Sequence, residues 1–190
     1  MLSGFVVLFD ACVLYSAPVR DLLLEIAVAG LFRAKWTERI HDEWMYNLIR
    51  KRPDLAPERL ERTRRLINES VEDCLVEGYE HLCPHLELPD PDDRHILAAS
   101  IKGQAQMIVT YNLKDFPVEV LEKYGIEAQH PDDFFLNQSD LHLPVFLTAV
   151  KNCRSRMNNP AKTSGEYLEI LRKHSLVKIA EFLESYIELI

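Results

Sequence analysis

Four carboxylates stand where the chain changes character. Asp10 interrupts the apolar run "VVLFDACVLY" (residues 6–15), and Asp115 follows a second apolar run in "IVTYNLKDFP". An ionised carboxylate buried without a partner is too costly for a core, so Asp10 must lie where a strand surfaces or where a cation meets it. Glu43 stands in "ERIHDEW" and Asp93 in "PDPDDRHILAASI". In open parallel α/β sheets, ligands bind outside the carboxyl ends of the strands, where strand order reverses. Asp10 and Asp115 belong at that edge, and the elements carrying Asp93 and Glu43 could each add a carboxylate there. Two carboxylates ~4 Å apart repel by about 4 kcal/mol at an effective dielectric near 20. Such a cluster takes up protons or binds a divalent cation. With oxygen donors and no His or Cys among them, the favoured ion is hard, Mg²⁺ or Mn²⁺.

The elements that would position these acids can be read from the pattern. "FVVLF" (5–9) reads as a strand buried on both faces of a parallel sheet. A helix follows in "VRDLLLEIAVAGLF", with Gly30 near its stop. Thr37 opens the helix "ERIHDEWMYNLIRKR", in which Ile40, Trp44, Leu48 and Ile49 recur at helical spacing, and Pro53 and Pro57 precede a third, "ERLERTRRLINESVEDCL". Three helices after one strand predict a long crossover. A helix then starts near Asp92 or Asp93 and ends at Gly103. A second strand at Met107 to Val109 stops in Thr110, Asn112 and Asp115. A short helix, a strand around Ile126 and a helix start at Pro131 come next. From Ser139 onward the pattern is helical only. Thr163-x-x-Glu166 forms a capping box, and Leu176, Ile179, Ala180, Leu183 and Ile187 make an apolar stripe. The predicted organisation is an α/β domain over residues 1–138 and a helical extension over 139–190.

At 190 residues the chain suits one α/β domain with an appendage. A net charge of -8 argues against general attraction to nucleic acid, but not against an acidic site that reaches phosphates through metal ions. Cys12, Cys74, Cys83 and Cys153 show no C-x-x-C spacing and read as core fillers in a reducing compartment. No apolar run approaches the ~20 residues of a membrane span, and the first residues do not resemble a signal peptide, so a cytoplasmic protein is expected. "HLCPH" (His81, Cys83, His85) lacks a second ligand pair at zinc-site spacing and reads as a loop. His95 reads as a packed or exposed helix residue. Arg33, Lys35 and Arg39 read as a solvated face, with a phosphate path as the alternative.

Together "VVLFDACVLY", "ERIHDEW", "PDPDDRHILAASI" and "IVTYNLKDFP" resemble the motifs of the PIN-domain ribonucleases, in particular the VapC-like toxins of toxin-antitoxin pairs, over about residues 1–135. The resemblance implies a three-layer α/β/α domain and Mg²⁺-dependent endoribonuclease activity, with Mn²⁺ as the alternative ion. Carried over residue by residue, Asp10, Glu43, Asp93 and Asp115 would be the catalytic and metal-binding acids. Thr110 and Asn112 would be the polar pair that positions substrate beside Asp115. Asp93 is preferred over Asp90 and Asp92 because it stands three residues before Ile96, and either neighbour could assist. An RNA substrate and a cognate antitoxin are the implied partners, and a homodimer is allowed. The helical tail is similar to an extension seen in one subgroup. Among competing readings, a haloacid-dehalogenase-type phosphatase needs an acid two positions after the first Asp, where this chain has Cys12. A non-catalytic PIN binding module is disfavoured by the presence of all four acids. A housekeeping RNA-processing or DNA-acting nuclease of the same fold stays open.

Overall fold

Residues 6–9 can only be satisfied in a sheet covered on both sides, because all four are buried in a row. The computed structural model of the chain describes residues 4–190, so residues 1–3 of the predicted N-terminal unit lie outside the described residues. Its sheet is formed by β1 (Val6–Phe9), β2 (Arg33–Lys35), β3 (Met107–Val109) and β4 (Glu127–Gln129), in the order β2-β1-β3-β4. Every pairing is parallel. The chain leaves β1 to one side for β2 and later returns to its other side as β3, so strand order reverses at the β1/β3 boundary. Asp10 and Thr110 directly follow those two strands, and Asp10 N–H donates to the Val109 carbonyl (3.2 Å).

Between β1 and β2 run α1 (Ala11–Tyr15) and α2 (Ala17–Val28); between β2 and β3 run α3 (Glu38–Lys51), α4 (Pro57–Ser70) and α5 (Arg94–Lys102). The expected single long crossover is therefore broken by β2. That strand was hidden because it is three residues long and two of them are charged. Lys35 is nonetheless buried, since its Nζ donates to the Asp73 carboxylate (2.7 Å) and to the Asp73 carbonyl. Helix α4 stops at Ser70, short of the predicted Leu75, because residues 74–76 lie along the outer edge of the sheet. There Trp36 N–H donates to the Cys74 carbonyl and Val76 N–H to the Trp36 carbonyl, both at 2.9 Å. Thr37 caps α3 as expected, accepting from Ile40 N–H at 3.1 Å. Gly103 ends α5 for a reason other than a left-handed turn: its φ is -79°, but a Cβ there would lie 2.9 Å from Val76 Cγ2 and 3.0 Å from the Ala99 carbonyl oxygen.

After α6 (Val118–Leu121) and β4, the chain is helical: α7 (Pro131–Leu141), α8 (Leu143–Arg156), α9 (Ser164–Lys173) and α10 (Val177–Glu184). The predicted 138/139 division thus falls inside α7. Helices α8 and α9 pack on α2, and α10 packs on α7 and α9. Phe146, Tyr167, Leu171, Leu176, Ile179, Ala180 and Leu183 join the same core as the sheet. The predicted stripe is buried except at its last member: Ile187 is 40% exposed, since α10 ends at Glu184 and the chain turns away. The capping box of α9 forms with both of its hydrogen bonds.

Candidate functional site

Asp10 is the first side chain after β1, and it is almost fully buried. Thr110, at the matching position after β3, donates its hydroxyl to Asp10 Oδ2 at 2.6 Å, and the Cys12 thiol donates to the same oxygen at 3.0 Å. Thr110 Oγ1 in turn accepts from Asn112 N–H (2.9 Å) and Cys12 Sγ from Tyr111 N–H (3.2 Å). Burial, then the adjacent Asp10 charge, pushes the Cys12 thiol well above the ordinary thiol range, so it stays protonated and acts as a donor. Among the described residues, the side-chain hydrogen bonds that Asp10 accepts fall on Oδ2, which leaves Oδ1 for the cleft. Thr110 is fully buried, and its hydroxyl is engaged in holding Asp10. Asn112 is exposed and lines the cleft.

Helix α3 brings Glu43. Its Oε1 accepts from His95 Nε2 (2.9 Å) and from Arg39 Nε (3.0 Å). Burial works to raise the Glu43 carboxyl, but the bonds and charges of His95 and Arg39 outweigh it and hold Glu43 below the usual carboxylate range. His95 is packed, the first of its two readings, and its ring sets α5 against the acid. Asp93 stands at the start of α5 and makes no capping bond; the cap of the preceding turn is Asp90, which accepts from Asp92 N–H at 2.9 Å. Partial burial, then the charges of Asp10, Asp90, Asp115 and Glu43, push the Asp93 carboxyl up to about 7. Like charges brought together in this way raise the affinity of Asp93 for a proton near neutrality.

Asp10, Glu43, Asp92 and Asp93 line one open cavity of about 410 Å³ together with Cys12, Tyr15, Asn47, Lys51 and Asn112. Asp115, in a single turn at Leu113–Asp115, is outside that lining but contributes to the field on Asp93. Among the described residues, no three His, Cys, Asp or Glu side chains stand close enough to ligate one ion as they are placed. Arg33 and Lys35 do not face this cavity; both pair with Asp73. "HLCPH" forms a short 3₁₀ turn at Glu80–His85. Sequence reasoning missed Tyr15, Asn47 and Lys51. The signal was available for two of them: Arg39, Glu43, Asn47 and Lys51 recur every four residues along α3, so they share one face.

A family model described as PIN domain matches residues 6–114, more than half of the chain. The chain belongs to the PIN-domain family. A second model, described as VapC50 C-terminal domain, matches residues 131–185, starting at the first residue of α7. The chain is 56% identical over 50 residues to a Mycobacterium tuberculosis protein named "Putative ribonuclease VapC50", a match covering 26% of this chain and 30% of that relative. No solved structure matches. Within a PIN fold the cavity at the ends of β1 and β3 is the place where the sheet topology allows a ligand to bind.

Proposed function

We propose that the protein is a metal-dependent endoribonuclease that acts as the toxin of a toxin-antitoxin pair. The observation that carries this reading is the convergence of Asp10, Glu43 and Asp93, from three separate elements, on one open cleft of a PIN fold. The donor set suits a hard divalent ion by its chemistry: oxygen ligands only, an excess of negative charge, and one oxygen of Asp10 turned away from its hydrogen bonds. Asp10, Asp93 and Asp115 would hold Mg²⁺ or Mn²⁺, with Glu43 as the fourth acid. When bound, such an ion supplies an acidified water and charge stabilisation for phosphodiester hydrolysis.

The protein's own groups have separable tasks. Thr110 and Cys12 fix the Asp10 carboxylate in one orientation. His95 and Arg39 keep Glu43 ionised and aimed along α3. Asn112, exposed beside Thr110, offers an amide to a substrate phosphate or base. An antitoxin that silences this site would place a Lys or Arg among the carboxylates and compete with the ion for the same charge.

The test is incubation of the full chain with total cellular RNA, with Mg²⁺ and with chelator, followed by mapping of new 5′ ends. New ends at defined positions with Mg²⁺ alone support the reading, and unchanged cleavage after exhaustive chelation refutes the metal dependence. Mg²⁺ or Mn²⁺ should also raise the melting temperature by mass action, since the unfolded chain has no comparable site. A melting curve indifferent to millimolar Mg²⁺ and Mn²⁺ would speak against it. Growth arrest on expression, relieved by a small neighbouring protein, tests the toxin assignment.

A further inference from the structure

We propose that Tyr15 and Lys51 form a nucleotide subsite at the mouth of the acidic cleft, holding single-stranded RNA by stacking a base on the tyrosine ring and pairing a phosphate with the ammonium. The proposal rests on the nuclease reading and names the form of its substrate. Tyr15 ends α1, five residues after Asp10, and its half-buried ring lines the cleft. Lys51 ends α3, and its Nζ lies 5.0 Å from the Tyr15 ring centroid. Among the described residues that line the cleft, Lys51 is the cation facing Asp10, Glu43, Asp92 and Asp93, and it has no ion-pair partner there.

Its distance from those acids is the point. Eight residues of helix separate Glu43 from Lys51, about 12 Å along the axis, beyond a Debye length of about 8 Å at physiological salt. Lys51 therefore does not neutralise the acids; it offers a separate positive anchor at the other end of the same cleft. An RNA strand needs both ends: its scissile phosphate among the acids and their ion, and a neighbouring phosphate on a fixed cation. Tyr15 adds a π-face, covered by the Lys51 ammonium in the structure, on which any base can stack once that ammonium turns to a phosphate, and Asn47, one turn before Lys51 on the same face, adds an amide. Stacking on Tyr15 demands an unpaired base, because the bases of a duplex are already stacked on each other.

Fluorescence anisotropy of a labelled eight-nucleotide oligouridylate, measured in chelator so that nothing is cut, tests this. Tyr15→Leu and Lys51→Gln should each weaken binding about tenfold, within the range of one lost stacking contact, while Tyr15→Phe binds as the wild type does. Lys51→Gln should also flatten the dependence of log affinity on log salt by about 0.7, one phosphate contact on a single strand. A hairpin in which every base is paired should bind more weakly. Lys51 is exposed, so its variant keeps the test valid even if Tyr15→Leu unfolds. Wild-type affinity or an unchanged salt slope in Lys51→Gln, or equal binding of the hairpin, overturns the subsite while leaving the nuclease reading intact. A wild-type protein that neither binds the oligonucleotide nor cleaves total RNA overturns both.

Discussion

Asp10 is both the most constrained acid of the cluster and the one whose charge matters most to the proposed chemistry. Asp10→Asn preserves an acceptor oxygen for Thr110 and Cys12, so the fold should persist with an unchanged or slightly raised Tm in the absence of metal. RNA cleavage should fall by at least on the order of a hundredfold, the usual cost of removing one preorganised charge-stabilising group. Cleavage at the wild-type rate in Mg²⁺ would remove Asp10 from the site. Asp93 allows a different measurement. Its carboxyl is raised from 3.8 to about 7 in the folded protein, by burial and then by the surrounding acids. A raised folded-state value means that the folded protein binds the proton more tightly. The stability from this group is complete below about pH 4 and is lost as pH rises through about 7. Asp93→Asn should therefore stabilise the metal-free protein at pH 8 by on the order of 1–2 kcal/mol, discounted because solvent screens a half-exposed carboxylate. The gain should vanish at pH 4. Equal urea midpoints for the two proteins at pH 8 would show that the acids do not burden one another.

At the scale of elements, two couplings position the site. In the first, Trp44 Nε1–H donates to His41 Nδ1 (2.9 Å), which leaves His41 Nε2–H to donate to Asn68 Oδ1 (2.8 Å). Trp36 Nε1–H reaches the same oxygen at 2.8 Å, so α3, with Glu43 on its cleft face, is tied to α4 and to β2. In the second, helix α10 starts without a cap from its own chain segment. Asp132, buried on α7, supplies one from across the interface: its Oδ2 accepts from Lys178 N–H and its Oδ1 from Ile179 N–H, both at 2.9 Å. Asp132→Ala should cost about 2 kcal/mol, the value of a lost cap with charge-assisted bonds, and lower Tm by roughly 4–8 °C. A Tm within 1 °C of wild type would show that water replaces the carboxylate at no cost.

Over the whole molecule, the tail touches the site's supports. The Tyr111 hydroxyl donates to the His174 carbonyl (2.8 Å), Ser16 Oγ meets His174 Nδ1 (2.9 Å), and the Tyr111 ring meets His130 edge-on at 4.9 Å. Tyr111 follows Thr110, and Ser16 follows Tyr15. The turn between α9 and α10 thus braces both strand-end segments that carry the cleft. We propose that residues 139–190 act as a structural part of the nuclease unit rather than as a detachable module. Truncation after Gln138 cuts α7 and uncovers the side of α2 that α8 and α9 pack on, together with Phe135, whose ring meets Phe146, an apolar surface that soluble monomers avoid. The shortened chain should aggregate during expression and give no soluble protein. A monomeric, equally stable truncation product on size-exclusion chromatography would contradict this.

Local chemistry was enough to read much of this protein. Uninterrupted apolar runs ending in Asp10 and before Asp115 implied parallel strands and a polar edge, Thr37 and the Thr163–Glu166 box marked helix starts, and the tail's stripe was apolar at helical spacing. These signals lie within a few residues of what they specify. Other features depend on groups that meet only after folding. Lys35 can sit buried in β2 because it finds Asp73 from 38 residues away. Thr110 serves Asp10 because β1 and β3 are neighbours, 100 residues apart in the chain. His95 meets Glu43, and Asp132 caps α10, through packing that no local pattern encodes. Even the protonation of Asp93 is largely a tertiary property, since it is set by burial and, besides its neighbour Asp90, by Asp10, Glu43 and Asp115, which three other segments of the chain bring near it. Periodicity and capping are written in neighbouring residues, whereas the partners of a buried charge are chosen by which elements come to lie side by side.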